Sequence, residues 1–404
     1  MENVSSRCGN RDSAPRLRFP EFRGEWLSTT LGAIGTFTKG APLSKADIAS
    51  EGTPFILYGE LYTTYKEVTT EIKRRTLKTA NDECMSRVGD VIIPTSGETP
   101  DEIATATCIM VSNVILAGDL NIYRNSTIDG RFISYIINHV INGDISRIAQ
   151  GKSVVHIKAS ELAKLRINYP SRQEQNKIID FLMLLNRKIA KQQSLINALK
   201  TYKRGVSEAI FERKVGFPNK TNWKKIKIEN LFSERCERAI GNEELLAVTI
   251  NGGIQKRNEI QLKDNSSEDK SNYKRVHIGD IAYNTMRMWQ GASGVSCYAG
   301  IVSPAYTVIV LKDKENQCID FWGHYFKHTN LIRTFQKFSQ GLTSDTWNLK
   351  YTQLSQINLY VPEYKEQCAI ANFLHKFDSK ISIEEKKLSQ LSMLKNELLH
   401  RMFI

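Results

Sequence analysis

An apolar ladder with a 3.5-residue period runs through the middle of the chain, over residues 174–211. Alternating strides of four and three pick out Ile178, Leu182, Leu185, Ile189, Gln192, Ile196, Leu199, Lys203, Val206 and Ile210, of which eight are apolar. That period is the seam of a coiled-coil helix. Adding 192 to each number gives Ile370, Leu374, Phe377, Ile381, Glu384, Leu388, Leu391, Lys395, Leu398 and Met402. Eight are again apolar, and the polar interruptions fall at the same two rungs. The chain carries one long helix twice. Such a seam is unstable alone, and its copy is the obvious partner. A globular segment is threaded between the two, so an antiparallel pair is expected, with facing residue numbers adding to about 580. In that register Gln192 faces Leu388 and Glu384 faces Ile196. A charge buried against isoleucine is costly, so Glu384 is expected to reach an edge or a side-chain partner. The polar rungs fix register or serve a partner.

The repeat extends beyond the helix. Phe19-Pro20, Trp26 and Leu31 are echoed by Phe217-Pro218, Trp223 and Leu231. Gly89-Asp90 and Gly279-Asp280 each read as a turn leading into a strand. Gln150-Gly151 answers Gln340-Gly341, and each is followed by a short helix, with Ser160 and Thr352 as candidate N-caps. Strands at 165–169 and 357–361 close on Pro170 and Pro362, and Glu174-Gln175 and Glu366-Gln367 open the long helices. Further strands are expected at 111–116, 120–123 and 306–311, and helices at 131–142 and 320–337. The fold class is α+β, with an internal pseudo-two-fold: two similar mixed domains joined by two long helices in an antiparallel coiled coil. The expected divisions are a disordered tail (1–15), a globular domain (16–171), a long helix (172–213), a second globular domain (214–363) and a second long helix (364–404). The joint at 213–219 is short, which predicts rigid coupling.

Net charge is +13, which favours a polyanionic partner. The excess is uneven: residues 1–171 carry 20 Lys+Arg against 19 Asp+Glu, whereas 172–213 carry 9 against 4 and 214–363 carry 20 against 15. The seven cysteines form no CxxC pair, so neither a disulfide framework nor a zinc site is expected. No signal-peptide core and no 18-residue apolar run is present, which points to a cytoplasmic protein with no membrane partner. The phosphate-cradling glycine loop, the Asn-Pro-Pro-Tyr run of adenine methyltransferases and His-Glu-x-x-His are all absent. His324 and His328 could share a helix face, but no third ligand is apparent and no metal is expected. Pro100-Asp101 reads as a turn. A binding protein is expected rather than an enzyme.

The candidate recognition loops follow the two Gly-Asp strands. The first offers Thr95, Ser96 and Glu98; the second offers Asn284, Arg287, Trp289 and Gln290. These side chains hydrogen-bond base edges or phosphates, and Arg287 is a guanine reader. The loops hold equivalent places yet share almost nothing, as two unlike half-sites require; freely diverging surface loops would look the same. Phosphate contacts are expected from Lys73, Arg74, Arg75, Lys152, Lys256, Arg257, Lys274 and Arg275. Each basic cluster alone also reads as a solvated face. At 1.5 Å per residue the helix over 174–211 is about 57 Å long, roughly one and a half turns of duplex DNA.

The ordered double occurrence of Phe-Pro…Trp, Gly-Asp, Gln-Gly and Pro…Glu-Gln resembles the specificity subunit of type I restriction–modification systems, over nearly the whole chain after residue 15. The resemblance implies two target recognition domains, each reading one half of an asymmetric bipartite site on double-stranded DNA. It implies that the long helices set the spacing and dock two modification (methyltransferase) subunits that methylate adenine. Their outward faces include Arg187, Lys188, Lys191, Lys380, Lys386 and Lys387. Restriction (motor-nuclease) subunits complete the assembly in a bacterial or archaeal cytoplasm. The chain itself is then non-catalytic and binds no cofactor; S-adenosylmethionine, ATP and magnesium belong to partner subunits. Two other readings remain: a coiled-coil scaffold joining two protein-binding domains, and an enzyme acting on DNA by unrecognised motifs.

Overall fold

A computed structural model describes residues 15–403 except 152–153, 218–220, 242, 251 and 261–268. The expected tail up to residue 14, Lys152, Pro218 and Ile404 lie outside the described residues. The two seams form two unbroken helices of 40 residues each, Arg172–Phe211 and Tyr364–Phe403. The chain divides into two units, residues 1–192 with 387–404 and residues 193–386, so each helix contributes half its length to each unit.

In the first unit the beginning of one helix and the end of the other enter a single core. Ile178 and Leu182 are buried with Leu399, Met402, Trp26 and Phe132. The Phe403 ring lies 5.2 Å from that of Phe132 and 6.4 Å from those of Trp26 and Tyr135. In the second unit the end of the first helix meets the beginning of the second: Ile210 and Phe211 share a core with Ile370 and Leu374. Tyr202 packs on Phe377 and Lys203 pairs with Asp378, whose numbers add to about 580 as the antiparallel register demands. Leu185, Ile196 and Ile381 are buried on the seam, and Ile189, Leu199, Leu388 and Leu391 are half-buried. The polar rungs are satisfied rather than idle. Lys203 takes Asp378, Lys395 takes Glu67 at 2.8 Å, and Glu384 is buried without being left partnerless.

Each unit is built on a sheet whose central strand begins at the Gly-Asp turn. The first has the order Gly35–Lys39, Leu120–Asn125, Asp90–Pro94, Thr107–Ile109, Val68–Thr69. The second has Phe232–Glu234, Tyr306–Leu311, Ile281–Asn284, Ser293–Val295. A two-stranded clasp closes each unit, Leu27–Thr30 on Arg166–Tyr169 and Lys224–Lys227 on Asn358–Val361. The repeated motifs explain themselves in this frame. Gly89 and Gly279 take φ of +96° and +86°, where a side chain is disfavoured. The buried carboxylates of Asp90 and Asp280 accept the backbone N–H three residues earlier, at 2.9 and 2.8 Å. Each also holds an arginine, Arg124 or Arg235. Gln175 and Gln367 donate to the carbonyls of Pro170 and Pro362 and accept the backbone N–H of Asp129 and Cys318. Those two donors, Asp129 and Cys318, stand at the N-termini of the helices Gly130–His139 and Ile319–Tyr325. The glutamine thus fastens each long helix to its domain, while Glu174 takes Arg18, and Glu366 takes Thr221 and Trp223.

Local expectations differ in several places. Ser160 and Thr352 are not N-caps; they lie inside one-turn helices that follow Lys158 and Lys350. Burial of Leu162 and Leu354 positions those turns, since one turn gains little from its own bonds. The run at 111–116 is a strand only at Ile115–Ala117, because Asn113 is left-handed (φ +62°) and breaks it. The helix expected at 131–142 is Gly130–His139 followed by Asn142–Ile148. That expected at 320–337 is two helices, Ile319–Tyr325 and Thr329–Phe338, so His324 and His328 share no helix face. Pro100-Asp101 opens a one-turn helix capped by Thr99. The counterpart of Leu31, first residue of its short helix, is Ile228 rather than Leu231.

Candidate nucleic-acid interface

The segment after each Gly-Asp strand is stitched to the segment after the Gln-Gly hairpin. Ile157 donates to the carbonyl of Thr95 at 3.0 Å, and Leu349 to that of Thr285 at 2.9 Å. The hairpins close on Gln150–His156 and Gln340–Asn348 bridges, with Gly151 and Gly341 at φ of +144° and +143°. Each unit therefore presents a two-part surface, one loop beside one hairpin, on a shared frame.

In the first unit the loop side chains divide. Ser96 is buried; its hydroxyl donates to Asp119 at 3.0 Å and its carbonyl accepts from Tyr62, so it braces the loop instead of facing outward. Thr95 is half-buried and Glu98 exposed, as are His156 and Lys158 on the neighbouring segment. In the second unit Arg287 and Gln290 are exposed, and Arg287 has no ion pair among the described residues. Asn284 is spent on the turn, accepting from Met286 N–H at 3.0 Å. Trp289 donates to the Met286 carbonyl and meets Trp347, on the hairpin, edge to face at 5.1 Å. Gly291 (φ +82°) ends the turn, and Lys327 donates to its carbonyl at 2.6 Å. Burial lowers the Lys327 ammonium to a pKa of about 8.

The basic clusters prove unequal. Arg74 pairs with Glu60 at 2.8 Å, Lys274 with Glu234 at 3.3 Å, and Arg275 with Glu243 at 2.7 Å. Lys256 stands 3.8 Å from Glu244 and over the Tyr298 ring. These four are neutralised within their own unit, which argues against phosphate contact as their main task. Arg257 is half-buried and directed at the Ile260 carbonyl. Lys73 and Arg75 are exposed, with Arg75 donating to the Gly52 carbonyl at 2.8 Å. Sequence reasoning did not single out Trp347 and the exposed Leu342 and Thr343 on the second hairpin, nor the equivalent exposed pair Lys158 and Lys350 just beyond the two hairpins. The Gln-Gly echo marked that place; its role as half of the surface needed the backbone stitch. On the long helices Arg187, Lys188, Lys191, Lys380, Lys386 and Lys387 are exposed.

A recognition module occurring twice in one chain, each copy closed by half of a paired long helix, defines the class of protein. The chain belongs to the type I restriction modification DNA specificity domain family, whose model matches it twice, over residues 23–201 and 220–393. The putative type I restriction enzyme MjaX specificity subunit of Methanocaldococcus jannaschii is 24% identical over 149 residues, which are 35% of this chain. The match spans about a third of that relative's length (34%). The crystal structure of a type I restriction–modification S subunit from M. genitalium superposes with a TM-score of 0.60 at 15% identity, covering 97% of this chain and 99% of that one. A chain from a structure describing complex assembly and conformational transition of the type I system gives 0.56 at 13% identity, covering 94% and 97%. Those likenesses establish the shared α+β fold. Among the described residues, no helix is long and apolar enough to cross a membrane.

Proposed function

We propose that this chain is the non-catalytic specificity subunit of a type I restriction–modification enzyme. Each unit reads one half of an asymmetric bipartite site on double-stranded DNA. The observation that carries the reading is the pair of loop-and-hairpin surfaces. They are held by the same Thr95–Ile157 and Thr285–Leu349 backbone bonds yet furnished with unlike side chains. A common frame with different contents recognises two different half-sites. Exposed Arg287 and the Trp289–Trp347 pair supply base and phosphate contacts in one half; Glu98, His156 and Lys158 supply them in the other.

The long helices act as a spacer, each about 60 Å from end to end at 1.5 Å per residue. Their exposed basic residues dock two modification subunits, which carry S-adenosylmethionine and methylate adenine, and restriction subunits, which use ATP and magnesium, join to cut unmodified DNA. The test is to map modified bases in cells with and without this gene while the modification subunits are expressed. Loss of one bipartite adenine-methylation motif is expected. Unchanged modification would refute the proposal and favour a scaffold. DNA cleavage or methylation by the purified chain alone would favour an enzyme.

A further inference from the structure

Where the chain breaks between the helices Ile319–Tyr325 and Thr329–Phe338, His328 turns toward the end of the first long helix. Its ring is wedged beside Phe211 and Tyr325, at 5.6 and 6.2 Å, and the residue is only 5% exposed. Nε2 lies 2.8 Å from Oε2 of Glu208. No hydrogen bond forms along that contact, and this buried nitrogen has no hydrogen-bond partner among the described residues. Glu212 lies four residues further on, just past the end of that helix. One ligand atom from each of Glu208, Glu212 and His328 falls within 4.8 Å of the others.

The carboxylates are already oriented. Oε1 of Glu208 accepts from the Thr329 N–H at 3.1 Å and from its hydroxyl, leaving Oε2 toward the imidazole. Oε1 of Glu212 accepts from Asn330 at 2.8 Å, and its other oxygen pairs with the exposed Lys214. An exposed pair of that kind contributes little and exchanges readily. Hydrogen bonds that hold ligating carboxylates in place are a recurrent support of metal centres.

We propose that Glu208, Glu212 and His328 bind a divalent transition cation of the zinc type, with solvent completing the coordination. An imidazole beside two carboxylates suits such a cation; calcium and magnesium prefer oxygen throughout. The cation ties the last turn of the first long helix to the helix Thr329–Phe338, whose Ile332 crowds Gly291 at the end of the Trp289 turn. The site belongs to one half only: 192 residues on, the positions of Glu208 and Glu212 hold His400 and Ile404.

The test uses the untagged full chain, stripped with chelator and titrated with zinc chloride by calorimetry, with thermal unfolding followed in parallel. One equivalent should bind saturably and raise the unfolding temperature. Glu212→Gln and His328→Gln should each weaken binding about tenfold or more. Absence of saturable binding overturns the proposal, and so does unchanged affinity in either variant. Should His328→Gln fail to fold, Glu212→Gln decides alone, because that side chain is partly exposed and circular dichroism can verify its fold.

Discussion

Replacing Lys395 by methionine tests whether the polar rungs anchor the helices to their domains. Lys395 Nζ lies 2.8 Å from Oε1 of Glu67, and His139 Nε2 lies 2.9 Å from the same oxygen. The two side chains of the Lys395–Glu67 pair are 14% and 8% exposed. Burial by itself would raise the Glu67 carboxyl. The bond from His139 and the charge and bond of Lys395 outweigh it and hold the pKa at about 2, against an ordinary 4.5. That displacement corresponds to about 3–4 kcal/mol at roughly 1.4 kcal/mol per unit. In the variant the carboxylate stays buried with His139, and its Oε2 already lacks a hydrogen-bond partner among the described residues. A loss of about 2–4 kcal/mol is expected. The folded pKa is depressed, so this stability is complete above the unfolded value of about 4.5 and disappears as pH falls toward about 2. Without Lys395 the folded pKa is higher, so the decline still begins near the unfolded value but is smaller and ends at a higher pH. Native-state amide exchange of the helix Gly130–His139 reads the effect at neutral pH, where about a hundredfold acceleration is expected. Glu67→Gln combined with Lys395→Met should cost less than the two changes summed. An acceleration below threefold, or strict additivity, would refute the anchoring argument.

Three further outcomes are expected. Gln367→Ala removes the bonds to Pro362 and Cys318 at once and should destabilise the second unit by about 2–3 kcal/mol in chemical denaturation. Arg287→Ala should lower methylation at one half of the bipartite site about tenfold or more and relax the base preference there, leaving the other half unchanged in sequencing of modified DNA. Deleting one heptad from each long helix should shorten the unread spacer or abolish binding; a site of unchanged length would sink the rigid-spacer mechanism.

The long helices were legible in the sequence because a 3.5-residue period sustained over ten rungs has no competing reading, and the stride of 192 supplied the partner. The anchoring motifs were legible only as echoes. Gln175 and Gln367 read as helix starts, whereas their work is to bridge Pro170 to Asp129 and Pro362 to Cys318. The candidate surface was half visible. Side-chain chemistry singled out Arg287 and Trp289, but the same chemistry singled out Lys274 and Arg275, whose acidic neighbours Glu234 and Glu243 lie far off in sequence. Ser96 failed for a similar reason: Asp119, 23 residues away, claims its hydroxyl. Short β-branched runs misled where one backbone angle, at Asn113, ended a strand early.

The burial of Leu399, Met402 and Phe403 among Trp26, Phe132 and Ile178 has a consequence for synthesis. The first unit is made early, but its core is closed by residues that are translated only after the whole second unit. At about 5–20 residues per second it waits tens of seconds, open, while the whole second unit is translated. A nonsense codon shortly before Leu399 would therefore unmake a domain encoded upstream of the whole second unit, and a nascent chain cannot finish the first unit before the second.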